Sequence, residues 1–158
     1  MEYNKSNVQT SILNRLIDNE PDITHEPVPY RLLSIKQIKA LLIRDLENLL
    51  NTRQQILLPP ISFTELNNSL FVYGLRDYTA ENSNSSFVKQ RLRHDIEKAI
   101  ILFEPRLKNV TVRFETSSQV DRKLRFRISG LLAMESETES VVFDTIFDAN
   151  KRKYIIAK

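Results

Sequence analysis

Apolar residues recur along the chain with two different periods, and the change of period divides it. Ile35, Ile38, Leu42, Leu46 and Leu49 follow one another at steps of 3, 4, 4 and 3 residues. That spacing lays a stripe along one helical face, widened by Leu41 and Leu50, and predicts a helix over residues 34–53. Arg44 points away from the stripe, Asp45 falls at its edge between Leu41 and Leu49, and Arg53 returns to its direction. A carboxylate at the edge of an apolar stripe calls for a cation or backbone donors, because burying it unpaired is costly. A second helix is expected over residues 86–103, with Val88, Leu92, Ile96, Ala99, Ile100 and Phe103 on one face. Lys89, Arg93, Asp95, Glu97 and Lys98 occupy the other and read as a solvated surface. Pro105 ends this helix, since the residue before a proline is pushed out of the helical region.

Beyond Pro105 the period falls to 2. Val110, Val112 and Phe114, then Leu124, Phe126 and Ile128, then Val141, Phe143 and Phe147 alternate with polar or charged neighbours. Three strands of an antiparallel meander follow, joined by polar turns at residues 117–122 and 135–139. Pairing apolar with apolar in the last hairpin sets Arg125 and Arg127 across from Asp144 and Asp148. Tyr154, Ile155 and Ile156 suit a short edge strand. The class is α+β: two main amphipathic helices packed on one face of a small antiparallel β-meander. The edges of such a sheet can accept a strand from a neighbour.

The remaining segments are shorter. Ile12, Leu13, Leu16 and Ile17 give residues 11–18 a helical stripe, followed by a connection holding Pro21, Pro27 and Pro29. A helix that short is marginal in water, so it docks either on its own domain or on a partner. The chain thus divides into an N-terminal helix with a Pro-rich tether at residues 1–30 and a main domain at 31–158. Ser62-Phe63-Thr64-Glu65, after Pro59-Pro60, matches a capping box. Gly74 with Asp77 marks a tight change of direction, and the serines of residues 82–86 suit the cap of the following helix.

Composition narrows the chemistry. Lys and Arg number 23 against 20 Asp and Glu, a formal charge of +3 that is too small to imply nucleic acid. There is no cysteine, which excludes disulfides, thiolate metal sites and a Cys nucleophile. The two glycines, Gly74 and Gly130, cannot build a phosphate-binding loop or a dinucleotide turn. His25 and His94 lie far apart, without the paired spacing of metal ligands or a nucleophile turn nearby. No cofactor, metal or small-molecule substrate is expected. No apolar run is long enough to span a bilayer and the polar N-terminus is unlike an export signal, so the expected location is cytoplasmic. Asp45, Glu104 and Asp144 could be assembled into a carboxylate pair for glycoside hydrolysis, yet each has a simpler structural reading.

One motif is underexplained by local rules: Phe103-Glu104-Pro105-Arg106-Leu107. Glu104 faces the negative end of the preceding helix and so needs compensation. Arg106 is its natural partner, or a bidentate contact to another chain.

Arg44-Asp45-Leu46-Glu47-Asn48-Leu49-Leu50-Asn51-Thr52-Arg53 resembles the signature helix of the TssE family of type VI secretion baseplate subunits, themselves similar to the wedge (gene 25-like) protein of contractile-phage baseplates. Tyr73-Gly74-Leu75, the 103–107 motif and Phe143-Asp144-Thr145 agree in the same order. Where the family commonly has Asn-Tyr-Gly-Leu-Pro-Asp, this chain carries Val72 and Arg76 in place of the Asn and the Pro. The resemblance implies a structural assembly protein, not an enzyme. Its implied partners are the TssF, TssG and TssK baseplate subunits and the TssB–TssC sheath, with the VgrG hub nearby, at a baseplate docked on the inner membrane of a Gram-negative bacterium. Glu104, Pro105 and Arg106 are implied to serve protein interaction, supported by Asp45, Arg53, Tyr73, Gly74 and Asp144. The alternatives are a lysozyme-like peptidoglycan hydrolase and a stand-alone adaptor.

Overall fold

The computed structural model describes Asp22 and residues 35–78, 81, 85–115, 123–134, 138–148 and 151–157. The expected 11–18 helix, its proline-containing connection, His25 and most of both polar turns lie outside the described residues.

Helix α1 spans Ile35–Asn51 and buries Ile38, Leu42, Leu46, Leu49 and Leu50 of the apolar stripe, while Ile35 and Leu41 at its margins are half-buried. A single helical turn, α2, follows at Thr64–Asn67, and a 3-10 turn at Leu70–Val72. Helix α3 occupies Ser86–Phe103 and buries Leu92, Ile96, Ala99 and Ile100. The strands are β1 Leu107–Phe114, β2 Lys123–Ala133, β3 Thr138–Asp148 and β4 Lys153–Ile156. They form one antiparallel sheet in the order β1-β2-β3-β4, so the short C-terminal strand joins the meander as expected.

Alternation assigns the two faces of this sheet. Val112, Leu124, Phe126, Ile128, Leu132, Val141, Phe143, Tyr154 and Ile156 point inward to a single core shared with both helices. α3 lies over β1 and α1 over β4. Arg113, Arg125, Arg127, Val142, Asp144 and Ile155 are exposed on the opposite face. Among the described residues no helix is long and apolar enough to cross a membrane.

Several local expectations give way to tertiary structure. The N-cap of α2 is Phe63, not Ser62, and it makes no side-chain cap, so the capping box does not form. Asn67 closes the turn instead, donating to the carbonyls of Pro60 and Phe63 at 2.9 Å each. Ser85 occupies the N-cap position of α3, but its hydroxyl does not cap the helix. On the sheet, Arg127 faces Asp144 with Nε 2.7 Å from Oδ1, whereas Arg125 faces Ile146 and Asp148 faces Lys123. The two arginines are two residues apart and the two aspartates four, so one antiparallel register aligns only one such pair.

The solvated-face reading of α3 also fails in part. Asp95 accepts from the Tyr78 hydroxyl at 2.6 Å, and Glu97 Oε1 accepts from the Val112 backbone N–H at 2.8 Å. Helix α1 does the same at the far edge. Glu47 Oε1 accepts from Ile156 N–H at 2.9 Å, while the Asn51 amide both accepts from Tyr154 N–H at 2.8 Å and donates to its carbonyl at 3.0 Å. Both outer strands therefore have backbone donors occupied by helix side chains, and the edges are less open to strand addition than the sequence suggests.

Candidate functional site

The four resembling segments lie far apart in sequence, and three of them meet at one corner, where α3 turns into β1. α3 continues through the Glu104 N–H, which donates to the Ile100 carbonyl at 2.8 Å. The chain then reverses in a β-turn closed by Leu107 N–H on the Glu104 carbonyl at 3.0 Å. Pro105 sits at the second position of that turn, where its fixed φ is favourable. The turn brings Glu104 and Arg106 to the same side, leaving Pro105 exposed at the tip.

Arg106 ties the corner together. Its Nε donates to Glu104 Oε1 and its Nη2 to Glu104 Oε2, a bidentate fork. The same Nη2 donates to Asp45 Oδ2 of α1 at 2.7 Å. All three side chains are largely buried, at 12% exposure for Arg106, 6% for Glu104 and 16% for Asp45. Burial opposes the guanidinium charge, but the Glu104 and Asp45 carboxylates more than offset it and raise the Arg106 pKa above its usual value. Arg44 approaches the other Asp45 oxygen, with Nη2 3.1 Å from Oδ1, although the helical wheel sets it opposite the stripe. The cation called for by Asp45 is thus mainly Arg106, which no local pattern identifies.

Tyr73 packs its ring edge-on against Phe103, with centroids 5.0 Å apart. Burial raises its pKa, and the facing Asp45 and Glu104 carboxylates raise it further. Gly74, at φ +103°, lets this segment lie against the end of α1. A Cβ there would be driven into the Thr52 carbonyl oxygen and to 2.9 Å from its carbon. In exchange Leu75 N–H donates to the Thr52 carbonyl at 2.9 Å, and Gln54 N–H to the Leu75 carbonyl at 2.8 Å.

Not every candidate joins the corner. Arg53 points to the surface and pairs with Asp77, Nη1 to Oδ2 at 3.0 Å. Asp144 lies on the bare sheet face with Arg127. In the fourth segment Phe143 enters the core, and Thr145 is buried with its hydroxyl unpartnered. The sequence assigns Asn51 and Glu47 no role of their own and reads Glu97 only as solvated surface. Asn51 and Glu47 stand within the signature helix, which is the one signal that could have drawn attention to them.

The chemistry of this corner is that of a clamp. Two carboxylates held by one guanidinium do not flank a cleft as a glycosidase pair does. His94 is exposed on α3. Among the described residues no group of His, Asp or Glu could hold a metal ion.

A family profile described as "Baseplate wedge protein gp25" matches residues 36–137. That stretch takes in α1, α3, β1 and β2, and with them Asp45, Tyr73, Gly74, Glu104, Pro105 and Arg106. Asp144 falls beyond it. No curated protein matches the chain.

Proposed function

The chain belongs to the baseplate wedge protein gp25 family, whose members are structural and non-enzymatic parts of contractile injection systems, and on that premise we propose that it is a TssE-type subunit of a type VI secretion baseplate. It helps assemble the wedge with TssF, TssG and TssK around the VgrG hub, and starts TssB–TssC sheath polymerisation. It works in the cytoplasm, at the inner-membrane-docked baseplate. Residues 31–158 act as the wedge domain and residues 1–30 as its appended docking segment.

The observation that supports this reading best is the Arg106 bridge from Glu104 to Asp45, because it joins two of the resembling segments through one side chain. Tyr73, from a third segment, packs beside it on Phe103. In this proposal Pro105 is the exposed contact point, and Glu104 and Arg106 set its position. Asp45, Tyr73 and Gly74 brace the corner from behind, while Arg53 and Asp144 mark separate surface points.

Co-purification of the full chain with TssF and TssG tests it. Capture of TssF and TssG by the wild-type chain, weakened by Pro105→Asp in protein that remains folded by circular dichroism, is the expected result. Folded wild-type chain that captures neither TssF–TssG nor TssB–TssC overturns the assignment to this secretion system.

A further inference from the structure

Large apolar side chains crowd the surface between α1 and the 3-10 turn. Ile56 is 97% exposed, Leu57 82%, Ile61 95% and Leu70 79%. Residues 54–71 carry a single charge, Glu65, in a chain that is 27% charged. So many exposed large apolar side chains within one short segment mark a contact surface. Beside it lies an open groove of about 600 Å³ whose lining includes the apolar Ile56 and Leu58 and, at its charged rim, Arg53, Arg76 and Asp77. The rim arginines keep donors in solvent, Arg53 being 61% and Arg76 50% exposed.

The chain itself carries a matching segment. Ile12, Leu13, Leu16 and Ile17 form an apolar stripe with no place on the inner sheet face, which α1 and α3 already cover. Asp18, Glu20, Asp22 and Glu26 follow it, and no Lys or Arg occurs between residues 16 and 30. Reach is sufficient. Residues 23–34, at ~3.1 Å per residue in an extended, proline-containing tether, span ~37 Å. The 17 residues of α1 cover only ~25 Å.

We infer that residues 11–22 dock in cis on this groove. The stripe covers Ile56 and Leu58, the acids following it meet Arg53 and Arg76, and Arg15 meets Asp77. This stands independently of the secretion-system reading.

The absence of native cysteine makes the test direct. Full-length chain carrying Leu16→Cys with Ile56→Cys is oxidised mildly and compared with Leu16→Cys with Val142→Cys, whose second site is on the bare sheet face. Both Ile56 and Val142 are exposed, so neither change removes core packing. The first pair is expected to close an intramolecular disulfide about tenfold faster than the second, at a rate independent of protein concentration. Equal rates for the two pairs overturn the inference. Disulfide-linked dimers whose yield rises with concentration also overturn it, and identify a second copy as the occupant.

Discussion

The side chain of Glu97 accepts a hydrogen bond from the backbone of Val112 at 2.8 Å, so a helix residue completes the outer edge of β1. Glu47 treats Ile156 of β4 in the same way at 2.9 Å. Each long helix thus guards the edge strand beneath it, which answers a hazard inherent in any open sheet.

Glu97→Ala is expected to lower stability by about 1.5 kcal/mol, the low end for a hydrogen bond to a charged group, because Glu97 is half-buried. Hydrogen exchange should show the Val112 amide losing protection well before the strand interior. Unchanged exchange at Val112 contradicts the capping role.

Arg106→Ala leaves the buried Glu104 without its cation and Asp45 with only the more exposed Arg44. A cost of about 3–5 kcal/mol follows from breaking a buried pair on one side only. Arg106→Met combined with Glu104→Gln and Asp45→Asn should recover much of it, since no uncompensated charge remains. Denaturant titration of both variants decides between a clamp and an incidental contact.

Gly74→Ala meets both a positive φ and the Thr52 carbonyl. Strain of roughly 1–3 kcal/mol is expected before any clash is counted. The lesion should be local, read as faster exchange of the Leu75 and Gln54 amides, whose bonds hold this segment to α1.

Thr145 buries a hydroxyl with no partner. Thr145→Val keeps the shape and removes the unsatisfied group, so stability should rise by up to ~1–3 kcal/mol. A loss of stability in thermal melts would mean that the hydroxyl is engaged after all.

Tyr73, Tyr78 and Tyr154 all have pKa values raised above the usual phenol range, chiefly by burial. Asp95 adds to the effect at Tyr78, and Asp77 at Tyr154. A raised pKa means the folded state holds these protons more tightly than the unfolded chain. Their contribution is therefore complete below the unfolded value near ~10 and is lost as pH rises beyond it. Tyrosinate absorbance should lag in the native protein above that pH and then rise together with unfolding.

The two long helices and all four strands were legible because each buries a repeating pattern of side chains, and burial enforces period. Asp45 was legible as a residue in need of a cation, and the Glu104–Arg106 pairing was visible from their spacing around Pro105. The Arg106–Asp45 bond was not, since the two residues lie 61 positions apart and only packing of α1 beside α3 brings them together. The same cause hid Glu97 and Glu47, whose acceptors serve strands and not their own helices. The capping box failed for a different reason. Asn67 supplied two bonds to Pro60 and Phe63, and a motif matched on letters alone cannot register that competitor.

The planar fork of Arg106 has a mechanical consequence. Apolar helix faces can slide past one another at little cost, but a guanidinium bonded at fixed angles to one helix end and to the side of another resists shear. A pull on Pro105 would therefore pass into both helices at once, and the domain would answer an applied force as one rigid block.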